Sequence, residues 1–139
     1  MTHIMAIDPG RVKCGLAVAD KHGHFLVGKV VSCNELLQEL TRMRDMYAPD
    51  VVLLGAGTAS SAVAEALSCS GYGPPVYVDE AGTTLEARRR YFEINPPRGL
   101  RRLVPASFLL PPVDYDDYVA RILIERYLLN AECGFRNAE

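Results

Sequence analysis

The sequence predicts an α/β fold in which helices flank a mixed five-stranded sheet. Residues 3–31 contain three apolar stretches separated by short turns, which is typical of an antiparallel meander. Helical and strand-like patterns then alternate, which is typical of parallel strands joined by helices. The stretch VVLLGAG at 51–57 is apolar throughout, as expected of a strand that is covered on both faces.

The five predicted strands are apolar runs bounded by turn residues. PGRVK separates the first two strands, KHGH precedes the third, and SGYGPP precedes the fifth. The predicted strands are 3–8, 14–20, 25–31, 51–57 and 76–80.

Capping residues and helical spacing predict four helices. Ser32 with Glu35, and Thr83 with Glu86, have the spacing of the S/T-x-x-E capping box. Apolar residues after the first box recur at helical spacing. The proline-rich segment 95–112 is predicted to be an irregular but packed loop. The predicted helices are 32–47, 60–69, 83–92 and 116–129.

Length and composition bound the possible function. A chain of 139 residues is long enough for one domain with a real core and too short for a two-lobed enzyme. It has no apolar run of membrane-spanning length and no signal-peptide pattern, so we expect a cytoplasmic protein. The four cysteines are scattered without a CxxC pair, and we expect reduced thiols that act as small core residues.

Acidic residues are predicted to gather at one rim of the sheet. Asp8 closes the first predicted strand and Glu80 the fifth, and such sheets place their sites at the carboxyl ends of parallel strands. The start of the last helix offers Asp114, Asp116 and Asp117. Asp116 lies on the apolar stripe of that helix and is the first choice, with Asp117 as the alternative. Acids at a helix start also cap its amide groups, and this explains Asp117 well.

Three converging carboxylates predict a metal site. They would repel one another unless a cation lay among them, and an all-oxygen ligand set favours Mg²⁺ or Mn²⁺. Two such ions about 4 Å apart activate a water and stabilise the leaving oxygen of a phosphodiester. The sequence therefore predicts a catalytic site for two divalent ions at Asp8, Glu80 and one acid of the last helix, with Asp116 as the first choice. A simpler interpretation stays open, in which DPG at 8–10 is only a turn.

Basic residues cluster after Glu80. Residues 88–102 contain six arginines and one acid, a balance of +5, whereas the rest of the chain sums to −7. We expect this cluster to hold a phosphate backbone, although one or two of its arginines are alternatively solvated or paired with Glu86 and Glu93. The predicted nucleic-acid contacts are Arg11, Lys13, Thr58, Thr84, Arg88, Arg89, Arg98, Arg101 and Arg102.

Several segments in register carry a family resemblance. IDPGRVKCGLAVAD, VVLLGAGTASS, VDEAGTTLEARRRYF and VDYDDYVARILIERYL resemble motifs of the YqgF/RuvX family of RNase H-like nucleases, in its cyanobacterial and Firmicutes variant. The resemblance covers nearly the whole chain. It implies a single RNase H-like domain over 1–139, strand order 3-2-1-4-5, and an acidic triad at Asp8, Glu80 and Asp116. The family usually has DER where this chain has DEA, so Ala81 replaces a basic residue beside the site.

The resemblance implies a metal-dependent nuclease that acts on structured nucleic acid. The first expected substrate is precursor 16S ribosomal RNA, in 5′-end processing on or near ribosomal particles. The alternative is a Holliday junction, which is branched DNA. A catalytically silent nucleic-acid or ribosome-binding module is a second class, and Ala81 leaves room for it. An actin-like phosphotransferase would need a second lobe that 139 residues cannot supply. The protein is expected to be a monomer or a homodimer.

Overall fold

The computed structural model describes most of the chain. The described residues are 2–57, 59–79, 81–97, 99–104 and 115–137, and the side chains of 101, 102 and 131–137 are not included. Three predicted site residues, Thr58, Glu80 and Arg98, lie outside the described residues.

The described elements follow the predicted order. The strands are β1 (His3–Asp8), β2 (Lys13–Asp20), β3 (Phe25–Ser32), β4 (Val51–Gly55) and β5 (Val76–Val78). The α-helices are α1 (Leu36–Tyr47), α2 (Ser60–Cys69), α3 (Thr83–Ile94) and α4 (Asp116–Asn137). Short 3₁₀ turns lie at Cys33–Glu35 and Gly99–Leu103. Among the described helices, none is long and apolar enough to cross a membrane.

The five strands form one sheet in the order β3-β2-β1-β4-β5. β1, β2 and β3 pair antiparallel, whereas β4 runs parallel to β1 and β5 runs parallel to β4. The predicted mixed sheet and its strand order are confirmed.

Alternate residues of β1 face opposite sides of the sheet. Met5 and Ile7 belong to the core that includes buried residues of α1 and α2. Ile4 and Ala6 belong to the core formed with α4. We call the second side the α4 face. α3 lies beyond α4, where Ala87 packs against its side chains.

Neither predicted capping box forms. Ser32 precedes a 3₁₀ turn, α1 starts only at Leu36, and no side-chain cap bond is made at either position. α3 is preceded by Gly82 in the left-handed conformation, with φ of 73°, and Thr83 is a buried helical residue rather than the cap. The glycine turns the chain sharply into the helix, which places Thr83 in the core. The Glu86 carboxylate instead accepts a hydrogen bond from Arg90, at 3.0 Å.

Three predicted segments differ in extent or burial. β5 ends at Val78, two residues before Glu80, because the Asp79 carboxylate accepts the Ala81 amide at 3.0 Å and turns the chain. α4 continues to Asn137, eight residues beyond the predicted end at 129. Leu100 and Leu103 are 84% and 77% exposed, so that part of the predicted packed loop is not packed.

Candidate metal and nucleic-acid site

Asp8 lies at the end of β1 on the α4 face. Side chains alternate along a strand, so Asp8 shares the side of Ile4 and Ala6, which pack with α4. Its residue is half-buried, and its partner in the antiparallel ladder is Gly15 of β2. The chain then turns tightly, since a Cβ on Gly10 would lie 2.1 Å from the Lys13 carbonyl oxygen.

Asp116, the first residue of α4, rests on Gly15. A Cβ added to Gly15 would lie 2.0 Å from the Asp116 carbonyl oxygen and 2.9 Å from the Asp116 Cβ. Gly15 is also the ladder partner of Asp8, at a Cα separation of roughly 5 Å for antiparallel pairs. The fold therefore brings two of the three predicted acids to the same end of the α4 face.

The apolar stripe of α4 packs against the sheet. Val119, Ala120 and Leu123 are buried, as the periodicity predicts for the stripe that contains Asp116. Asp117, the alternative ligand, is half-buried at the next position. The carbonyl group and the Cβ atom that lie closest to Gly15 both belong to Asp116.

Arg121, which lies on α4 beside the apolar stripe, packs against aromatic rings and is half-buried. Its guanidinium carbon lies 5.3 Å from the Phe25 ring centroid and 5.5 Å from that of Tyr118. Its Nε is buried and has no hydrogen-bond partner among the described residues. The side chain also fills the space beside Gly28 on β3. α4 packs across β2 and β3 as well as β1, so residues flanking its stripe are covered too.

Asp8 and Asp116 offer carboxylate oxygens, the donors that hard divalent cations prefer. In the described ranges, which omit Glu80, no group of three His, Cys, Asp or Glu side chains could hold a metal ion. The donor chemistry of the two described acids fits Mg²⁺ or Mn²⁺, and the third proposed ligand lies outside the described residues.

The three successive arginines of α3 have different surroundings. Arg88 is half-buried and donates from Nε to the Tyr115 hydroxyl at 2.8 Å. Arg89 is exposed. Arg90 contacts Glu125 at 2.5 Å and Glu86 at 3.0 Å, and the hydrogen bond to Glu125 raises the pKa of Arg90 above its usual value. The alternative interpretation, in which some arginines of this cluster are paired with acids, therefore applies to Arg90.

Sequence reasoning missed Arg126. This α4 residue donates to the Asp79 carbonyl oxygen at 3.2 Å, and its guanidinium lies 3.6 Å from the Glu86 carboxylate. It thereby links α4 to both α3 and the residue that precedes Glu80. The i,i+4 spacing of Glu86 and Arg90 indicates a pair within α3, but nothing in the sequence indicates that α4 joins it.

The other predicted nucleic-acid contacts are partly described. Arg11 and Lys13 are exposed on the hairpin that follows Asp8, and Thr84 is exposed at the start of α3. Arg101 and Arg102 lie in the 3₁₀ turn Gly99–Leu103, where their side chains are not described. Thr58 and Arg98 lie outside the described residues.

Cys14 and Cys33 lie close together near Gly10, in the turn that follows Asp8. The Sγ atoms of Cys14 and Cys33 are 3.8 Å apart, and the Cys33 thiol donates to the Gly10 carbonyl oxygen at 3.3 Å. Both are free thiols, as is Cys69. Burial raises the pKa of the Cys14 thiol to about 11. Cys69 is exposed, so the expectation of a core residue is wrong at that position.

The architecture matches solved structures of RuvC from Thermus thermophilus. A complex of that RuvC with a Holliday junction substrate has a TM-score of 0.60 and 15% identity, covering 95% of this chain and 96% of that chain. The chain has the RNase H-like fold of RuvC. A second RuvC structure has a TM-score of 0.57 and 15% identity, covering 93% of this chain and 95% of that one. No protein-family model matches this RNase H-like chain, and no curated protein matches its sequence.

Proposed function

We propose that the chain is a divalent-metal-dependent nuclease that hydrolyses phosphodiester bonds in structured nucleic acid. The observation that supports this function best is that Asp116 packs against Gly15, the ladder partner of Asp8. Two acids from distant parts of the chain thus start from the same end of the α4 face. A cation bound between two such carboxylates would relieve the repulsion between their charges.

Asp8, Glu80 and Asp116 are the proposed ligands of Mg²⁺ or Mn²⁺, with Asp117 as the alternative to Asp116. When bound, two such ions would activate the attacking water and stabilise charge on the leaving oxygen. Asp8 contributes a carboxylate at the end of a paired strand. Asp116 contributes one from the first turn of a helix whose stripe is buried. Both acids therefore start from rigid backbone, which favours a fixed ligand geometry.

The proposed nucleic-acid surface includes residues of the hairpin that follows Asp8 and residues of α3. Arg11 and Lys13 are exposed on the hairpin directly after Asp8, and Thr84 and Arg89 are exposed on α3. Thr58, Arg98, Arg101 and Arg102 are further proposed contacts. Positive side chains next to an acidic metal site would hold the phosphate backbone and leave the scissile bond within reach of the acids.

Two substrates are proposed in order. Precursor 16S ribosomal RNA, cut at its 5′ end, is the first, and it rests on the resemblance of the motifs to the YqgF/RuvX family. A four-way DNA junction is the second, and it is favoured by the similarity in fold to a RuvC solved in complex with a Holliday junction substrate.

A cleavage assay with Asp8→Asn tests the nuclease. Wild-type protein is expected to cut one of the two substrates in Mg²⁺ or Mn²⁺, whereas Asp8→Asn should lose cleavage and retain binding, because it removes a metal ligand and leaves the basic surface in place. Asp45→Asn is the matched control, since Asp45 is an exposed acid on α1, across the sheet from α4.

Three results decide between the proposals. Full cleavage by Asp8→Asn would contradict the metal site. Binding without cleavage by the wild type, with every metal tested, would favour the silent binding module. The ratio of cleavage rates on precursor ribosomal RNA and on the four-way junction, at equal salt and metal, ranks the two substrates.

A further inference from the structure

We propose that Arg88 is a positioning residue for Asp116, acting through the hydroxyl group of Tyr115. This inference rests on the proposed function and adds a role that differs from the phosphate contact expected of Arg88. Arg88 lies on α3, whereas Tyr115 directly precedes Asp116 at the start of α4. The hydrogen bond between them therefore joins α3 to the residue next to a proposed metal ligand.

The contact has the geometry of a directed hydrogen bond. The Nε atom of Arg88 lies 2.8 Å from the Tyr115 hydroxyl oxygen, which accepts the bond. The guanidinium carbon is 5.8 Å from the centroid of the Tyr115 ring. Both residues are half-buried. A bond from a charged donor that is partly shielded from water is stronger than a bond between neutral groups, so it can fix the tyrosine.

Tyr115 is held at two further points. Its ring packs on a small core formed by Ala87 of α3 with Val119 and Ile122 of α4. Its carbonyl oxygen accepts the Tyr118 amide at 3.0 Å, which starts the helical turn. Hydroxyl, ring and carbonyl together define where the chain enters α4.

Asp116 is consequently held from two sides. Gly15 supports its backbone on the sheet side, and Arg88 together with the small core holds the preceding residue, Tyr115, on the α3 side. A shift of either support would move the Asp116 carboxylate relative to Asp8. Partners that orient metal ligands without touching the metal usually contribute about 10-fold to 100-fold in metal affinity.

The neighbouring arginines have other surroundings. Arg89 is exposed, which suits a phosphate contact, and Arg90 is paired with Glu86 and Glu125. The Nε donor of Arg88 is instead directed at Tyr115. One sequence run, RRR at 88–90, thus provides a positioning residue, an exposed cation and an ion-pair partner.

The test is a double-mutant cycle with Tyr115→Phe and Arg88→Met, read by Mn²⁺ titration calorimetry without nucleic acid. Each single variant is expected to weaken Mn²⁺ binding about tenfold. The double variant should be no weaker than either single variant, because both remove the same bond. Arg42→Met, which changes an exposed arginine on α1, is the matched control and should bind Mn²⁺ like the wild type.

Nucleic-acid binding in EDTA separates positioning from phosphate contact. Positioning predicts that Tyr115→Phe and Arg88→Met bind nucleic acid alike and close to the wild type. Weaker binding by Arg88→Met alone, with wild-type Mn²⁺ affinity in both variants, would overturn the inference in favour of a phosphate contact. Tyr115→Phe keeps the ring and removes only the hydroxyl oxygen. The Mn²⁺ affinity of this variant therefore tests the inference even if Arg88→Met unfolds.

The outcomes also separate this inference from the proposed function. A wild-type protein that does not bind Mn²⁺ would contradict the metal site and the positioning role together. A wild type that binds Mn²⁺, with unchanged affinity in Tyr115→Phe, would overturn the positioning role alone.

Discussion

The Asp116 carbonyl oxygen lies only 2.0 Å from the point where a Cβ on Gly15 would be. No side chain fits between this helix start and β2. Gly15 is buried within a strand whose central residues are all buried. The absence of a side chain at this position is therefore what lets α4 begin directly over the ladder partner of Asp8.

Gly15→Ala is expected to move the start of α4 away from β2. We expect a loss of about 1–3 kcal/mol in the free energy of unfolding, as for other overpacked sites, together with weaker Mn²⁺ binding. Urea denaturation and Mn²⁺ titration measure the two effects. Gly73→Ala is the control, because a Cβ there meets nothing within 4 Å, and its stability should stay within about 0.5 kcal/mol of wild type. Wild-type stability and Mn²⁺ affinity in Gly15→Ala would show that the close approach is unnecessary.

Replacing Arg101 and Arg102 by alanine is expected to weaken nucleic-acid binding and to flatten its dependence on salt. Each lost phosphate contact should reduce the slope of log K against log salt by about 0.7–0.9. Binding measured at several salt concentrations gives the slope. Lys21→Ala combined with Arg42→Ala removes the same charge from exposed sites on the β2–β3 turn and on α1. Equal slopes in the two double variants would mean that total charge, and not this segment, governs binding.

The cysteines are expected to differ in their rate of alkylation. Burial raises the pKa of Cys14 to about 11, so at pH 7 its thiol should remain protonated and react far more slowly than the exposed Cys69. Even at pH 9, Cys14 should stay almost unreactive in the folded protein, because its pKa is about 11. Mass spectrometry of iodoacetamide-treated peptides measures both rates, with urea-unfolded protein as the control. Equal rates in the native state would contradict the burial of Cys14.

The central strands and the position of Asp8 could be predicted from the sequence because they depend on local patterns. The predicted 3–8 coincides with β1, and the continuous apolar run at 51–57 contains β4, covered on both faces. Asp8 follows from the same pattern, since it is the acid that ends an apolar strand before a turn.

The surroundings of the charged side chains could not be predicted in the same way. The partners of three arginines, Arg88, Arg121 and Arg126, come from other elements of the fold. Helical periodicity predicts the direction in which each of these side chains points. It does not predict which residue of another element the side chain will contact. The predicted capping box at Thr83 failed for a related reason. Gly82 turned the chain and buried Thr83, so tertiary packing overrode a local preference.

The most direct test of the metal site is a crystal structure with Mn²⁺, located by its anomalous scattering. The account predicts a peak at the end of the α4 face, with carboxylate oxygens of Asp8 and Asp116 at about 2.1 Å, a typical distance from oxygen to a small divalent cation. A saturating concentration of Mn²⁺ that gives no peak there, with the two carboxylates directed to different sides of the molecule, would contradict it.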